Sequence, residues 1–153
     1  MQEVWDITPS DTTGTLFERT ANAGGPLLIK TLQGLKEKTI TPQPQNHAEA
    51  TYTKMIEKQD GELQPSWSAE QAYHAWQGYT PWPGLFYTFR DMRVTLLEID
   101  TIQSNNNNIG NWIIHESLPA IIVSGGLIVI KKIHPAGKKP MSGEEFARGF
   151  MRN

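Results

Sequence analysis

Apolar positions follow a helical period in two stretches before residue 80 and a strand period after it. In residues 10–38, Leu16, Phe17 and Thr20 fall on one side of a helix that Asp11 and Thr12 can cap. Gly24-Gly25 is expected to end that helix, and Pro26 to open a second one where its missing N–H costs nothing. Leu28, Leu32 and Leu35 then form an amphipathic stripe. Two short helices bury little on their own, so the stripe calls for a surface to pack on. Residues 39–50 read as a semi-extended linker, because Pro42 and Pro44 each bias the preceding residue toward extended geometry.

Residues 52–63 suggest an extended pair around the turn dipeptide Asp60-Gly61. Ser68-Ala69-Glu70-Gln71 is a capping box. The helix it opens places Ala69, Ala72, Tyr73 and Trp76 on one face and stops before Pro81-Trp82-Pro83-Gly84. Strand patterns follow at 85–89, 93–99, 112–115, 120–123 and 127–133, with an Arg90-Asp91 turn, a polar loop of four asparagines and a Gly125-Gly126 hairpin turn. Short strands at this spacing predict a small antiparallel barrel, closed or partly closed, and an α+β fold class. A second capping box, Ser142-Gly143-Glu144-Glu145, opens a terminal helix with Phe146 and Phe150 one turn apart.

The 153 residues contain no cysteine, which excludes disulfides, thiolate metal ligands and cysteine nucleophiles and fits a reducing, cytoplasmic setting. The net charge of −2 hides an asymmetry. Residues 1–124 carry 8 Lys/Arg against 14 Asp/Glu, and residues 125–153 carry 6 against 2. A basic end on an acidic chain suits a local anionic partner, and it equally suits a lysine-decorated sheet edge.

None of the four histidines, His47, His74, His115 and His134, stands in a metal-ligand spacing, so no metal site is expected. No glycine-rich phosphate cradle is present. Glu144-Glu145 fits a helix first turn better than an acid pair. Of the aromatic residues crowded into 67–89, Trp76, Trp82 and Phe86 are assigned to the core, and exposed ones could stack on bases. Strand alternation puts Lys131 and Lys132 on opposite faces. Lys138-Lys139 lies in a loop just before a helix start, where lysines and helix amides favour the same anion.

Several of these segments occur together in one family. Asp11-Thr12-Thr13-Gly14-Thr15-Leu16-Phe17, Gly25-Pro26-Leu27-Leu28 and Pro42-Gln43-Pro44-Gln45 resemble the end of the catalytic domain and the linker of methionyl-tRNA formyltransferases. Ala50-Thr51-Tyr52-Thr53-Lys54 with Ile56 is similar to the entry into their C-terminal domain. Thr80-Pro81-Trp82-Pro83-Gly84 resembles their Asn-Pro-Trp-Pro-Gly, with Thr80 in place of Asn. Pro135-Ala136-Gly137-Lys138-Lys139-Pro140-Met141-Ser142 and Glu145-Phe146 resemble their closing segment, which favours the tRNA enzymes over sugar formyltransferases.

The resemblance implies a helical remnant of a catalytic domain at 1–38, a linker at 39–50 and an OB-like tRNA-binding domain at 51–153. It implies initiator tRNA as partner, with Lys138 and Lys139 as first phosphate contacts and Lys54, Arg90, Arg93 and Arg148 behind them. The parent enzymes use 10-formyltetrahydrofolate, and this chain is expected to bind no cofactor and to be inactive alone. His115-Glu116-Ser117-Leu118-Pro119 looks like the family's Asn-x-His-x-Ser-Leu-Leu-Pro, but it is one residue short and Asn111 stands too far before the histidine. Other readings are a split enzyme completed by a separate N-terminal chain docking on 10–38, self-association through that stripe, an OB-like interaction module, or a sugar formyltransferase C-domain.

Overall fold

Side-chain caps fix the helix starts in the computed structural model, which describes residues 1–152. Thr12, Ser68 and Ser142 each accept a bond from the backbone N–H three residues on, while Thr15, Gln71 and Glu145 reach back to the cap N–H. The chain divides into two units, Met1–Ile56 and the residues from Glu57 on.

Helix α1 (Thr13–Lys36) dominates the first unit. It is one continuous helix rather than the expected pair, with Gly24, Gly25 and Pro26 all inside it. Each glycine costs about 1 kcal/mol and an interior proline about 3 kcal/mol relative to alanine. The missing proline N–H removes only the bond to the carbonyl four residues back. Capped ends compensate: the Thr12 box at one end and, at the other, Thr39 and Ile40 N–H groups donating to the Gly34 carbonyl at 2.9 and 3.2 Å. Phe17, Leu28, Ile29, Leu32 and Leu35 are exposed. Residues 39–50 are irregular apart from the single turn His47–Glu49, capped by Asn46.

Asp11 braces the start of α1. Its carboxylate accepts from the Thr8 N–H at 2.8 Å and the Thr15 hydroxyl at 2.9 Å and pairs with Arg19 at 3.1 Å. The Thr8 bond is the largest of the influences that lower its pKa from 3.8 to about 2. With the folded pKa depressed, the stabilisation is complete above 3.8 and is lost as pH falls through about 2. A carboxyl-carbon NMR titration should therefore place the Asp11 midpoint near 2; a midpoint at 3.8 would mean that these bonds are not kept in solution.

In the second unit, Asp60-Gly61 is not a hairpin turn. Lys58–Gly61 forms a 3-10 turn, and Gly61 lies so close to the Gly84 carbonyl that a Cβ would collide with it. The glycine thus serves a backbone approach, after which Leu63 N–H donates to the Phe86 carbonyl at 2.8 Å and the Leu63 side chain is fully buried. Helix α2 (Ala69–Tyr79) buries Ala69 and Ala72, half-buries Tyr73 and Trp76, and ties to the sheet through the Trp76 indole N–H, which donates to the Leu96 carbonyl at 3.1 Å.

The strands are β1 (Phe86–Phe89), β2 (Met92–Gln103), β3 (Trp112–His115), β4 (Leu118–Val123), β5 (Gly126–Pro135) and β6 (Met141–Ser142). They form one antiparallel sheet in the order β1-β2-β5-β4-β3, with the short β6 beside β5. Its two edges meet through side chains rather than a ladder. The Tyr87 hydroxyl donates to the Gly110 carbonyl at 3.2 Å, the Trp112 indole N–H donates to the Thr88 carbonyl at 2.9 Å, and the two rings stack at 6.1 Å. The α+β fold is therefore an antiparallel, partly closed barrel.

Ile121, Val123, Ile128 and Ile130 face its interior core with Leu63 and Phe146. Ala120, Ile122, Leu127 and Val129 form a second buried cluster, so β4 and β5 are covered on both faces. That explains their unbroken apolar runs. Alternation fails at Lys131-Lys132. The β2–β5 register shifts on either side of Glu98, which leaves both lysines exposed, with the Lys131 ammonium 2.7 Å from Asp100. Helix α3 (Gly143–Phe146) continues into a π-helical turn, Ala147–Met151, and Phe150 stacks on Phe146 at 4.9 Å.

Candidate nucleic-acid interface

Arg93 on β2 lays its guanidinium on the Phe86 ring, 3.5 Å from the centroid. This contact gives the charge a fixed place at low entropic cost. The Arg93 carbonyl accepts the Ala136 N–H at 2.9 Å, which ties residues 135–140 to the strand. The loop is closed from within. Lys138 N–H donates to the Pro135 carbonyl at 3.1 Å around Gly137, whose φ of +73° suits a residue without a side chain. His134 Nε2 lies 2.9 Å from the Lys138 carbonyl, which can only accept, so this nitrogen carries the proton.

Lys138 and Lys139 project from this braced loop and are exposed. Beside it runs an open groove of about 310 Å³ lined by Lys58, Pro83, Arg93, Thr95, His134 and the 136–137 backbone. No acidic side chain lines it. A larger hollow of about 550 Å³ mixes Asp100 and Glu116 with Lys131 and His115. The Asp100 hydrogen bond and charge raise the Lys131 pKa. Opposite charges cancel there, so the smaller groove offers more to a polyanion.

The structure thus brings Arg93 together with the Lys138-Lys139 loop. Arg90 and Arg148 do not line this groove. Arg90 occupies the β1–β2 turn with φ of 53° and its guanidinium 5.2 Å from the Phe89 ring centroid. Arg148 is exposed on the π-helical turn, and Lys54 belongs to the first unit. Lys58 joins the groove without having been marked by any motif; its position depends on the close approach of Gly61 to Gly84, far along the chain. Trp82 corrects a core assignment. Phe86 is buried and Trp76 half-buried, but Trp82 is 57% exposed, because it sits in the turn after α2 rather than on the helix face.

The His115 segment is a hairpin. His115 pairs with Leu118, and Glu116 and Ser117 take φ of 47° and 74°, as a two-residue turn between antiparallel strands requires. Asn111, four residues back along an extended chain, is roughly 13 Å away at about 3.3 Å per residue. These side chains do not converge on one reacting centre. Among the described residues no group of acidic and imidazole side chains could hold a metal, and no helix is long and apolar enough to cross a membrane.

Residues 55–151 match the family described as formyl transferase, C-terminal domain. The chain belongs to this family. The formyl transferase C-terminal domain is homologous here to the one in methionyl-tRNA formyltransferases. The methionyl-tRNA formyltransferase of Rickettsia bellii is 34% identical over 150 residues, 98% of this chain and 48% of that protein. The one from Natranaerobius thermophilus is 32% identical over 95% of this chain and 48% of that protein. The chain therefore spans about half the length of the curated relatives it matches. Among solved structures, a variant of HypX from Aquifex aeolicus superposes with a TM-score of 0.69 at 10% identity, over 97% of this chain and 28% of that one. At that identity the likeness concerns the fold.

Proposed function

We propose that this chain is the tRNA-holding C-terminal portion of a methionyl-tRNA formyltransferase. The braced loop bearing Lys138 and Lys139, set beside a groove with Arg93 and Lys58 and no acidic lining, carries the reading. Lys138 and Lys139 contact successive phosphates, Arg93 supplies a fixed charge next to them, and Arg90, Arg148 and, by itself in the first unit, Lys54 make further contacts. Methionyl-tRNA formyltransferases supply the partner by analogy: the anion is initiator tRNA.

Formyl transfer needs a group that takes the amine proton and donors for the tetrahedral oxyanion. The hairpin position of His115 and its distance from Asn111 do not suit that task. We assign the transfer, with the 10-formyltetrahydrofolate that the parent enzymes use, to a catalytic domain outside this sequence. The exposed apolar face of α1 supports docking of such a domain, in the same chain or a separate one.

The test is a titration of the 153-residue chain with initiator and elongator tRNA at two salt concentrations. Binding should weaken steeply with salt, because neutralising phosphates releases counterions. Absence of binding to either tRNA at low salt would reject the proposal. Tighter binding of the initiator would place part of the discrimination in this domain.

A further inference from the structure

Trp82 is a large aromatic side chain that the second unit leaves exposed. The indole N–H groups of Trp76 and Trp112 donate to backbone carbonyls, and both rings pack on the core. Trp82 is 57% exposed, and among the described residues it makes no hydrogen bond or ring contact. Stacking against a flat partner would take much of this ring's apolar face out of water, and a nucleobase is such a partner.

The turn is stiff. Pro81 and Pro83 fix their own φ, the Gly84 N–H donates to the Tyr79 carbonyl at 2.8 Å, and the Thr80 hydroxyl donates to the Trp76 carbonyl at 2.6 Å. Pro83, next in sequence, forms a wall of the groove that holds Lys58, Arg93 and His134. An exposed indole thus stands one residue away from a wall of a groove whose charged lining side chains, Lys58 and Arg93, are both cationic.

We infer that Trp82 stacks on an unpaired nucleobase of the RNA while Lys58 and Arg93 take the flanking phosphates. The inference rests on the tRNA-holding reading and adds a contact to it. Every base offers a π-face, and a ring already fixed in place loses little entropy on stacking. Charge selects this occupant over a protein surface: the groove that begins at Pro83 has Lys58 and Arg93 in its lining and no carboxylate, which suits a strand with one phosphate per base.

The test compares the parent chain with Trp82→Leu and Trp82→Phe. Titrants are tRNA and heparin, which has the charge but no bases. Leucine keeps apolar bulk and loses the ring, so tRNA affinity should fall about tenfold with the salt slope unchanged. Heparin affinity should stay the same. Phenylalanine keeps a stacking face and should bind tRNA nearly as the parent does. RNA should quench indole emission in the parent, and the quench should shrink in Trp82→Phe although that variant still binds. Salt-dependent tRNA binding that Trp82→Leu leaves intact would overturn the stacking contact and leave the tRNA-holding role standing. Equal losses of tRNA and heparin affinity would also overturn it. Failure of the parent to bind tRNA would remove both readings.

Discussion

Replacing Phe146 by alanine is expected to destabilise the protein by about 3–5 kcal/mol, the range for deleting a fully buried large aromatic side chain. Phe146 is completely inaccessible to solvent. Its ring meets Phe89 edge-on at 5.2 Å, lies 6.0 Å from Trp112 and stacks on Phe150 at 4.9 Å. Phe89 belongs to β1 and Trp112 to β3, the two edges of the open sheet. The ring therefore plugs the place where the barrel lacks a ladder. Urea unfolding of the Phe146→Ala variant, with near-UV circular dichroism to follow Trp112, would measure both the loss and its location. A loss of only about 1 kcal/mol, as for an Ile-to-Val truncation, would mean that the site relaxes and that the side-chain bonds between β1 and β3 close the barrel without it.

Elements with strong local signals could be read directly. Ser68 and Ser142 cap the helices that their capping boxes announce, and β3 covers residues 112–115, the strand read from the sequence. In these places one short stretch of chain settles the geometry. The Gly24-Gly25-Pro26 break failed as a signal because helix propensity is a local penalty, whereas the hydrogen-bond run and the caps of α1 act over its whole length. Asp60-Gly61 failed because a glycine can serve a close backbone approach as well as a turn, and the approaching Gly84 lies more than twenty residues on. Lys131 and Lys132 escaped alternation because the register shift depends on β2, which the sequence of β5 does not contain.

The same division applies to the candidate interface. The Lys138-Lys139 loop was visible as a cluster between Pro135 and Pro140. Lys58 was not, since nothing near it in sequence predicts that it shares a groove with Arg93 and His134. Trp82 was placed in the core on composition, because aromatic density indicates burial without saying which ring the chain geometry leaves out. Cationic residues at turns and grooves are selected by tertiary proximity, which a helical or strand period cannot encode.

Reversing charge at both loop lysines, Lys138→Glu with Lys139→Glu, is expected to give the largest loss of RNA affinity. Each phosphate contact contributes about 0.9 to the slope of log affinity against log salt, which at about 0.1 M salt is roughly eightfold in affinity. Two contacts give a slope change of about two units and a loss on the order of sixtyfold, with repulsion by the new carboxylates adding to it. Stability should hardly change. Both side chains are exposed, and the bonds that shape the loop run through the Lys138 backbone, to Pro135 and His134, and through Ala136 to Arg93. That separation makes the experiment decisive: a variant with the parent's unfolding midpoint and a flattened salt slope assigns the phosphate contacts to this loop. A variant with the parent's slope assigns them to other cations, and Arg93 with Lys58 in the neighbouring groove would then be the residues to reverse next.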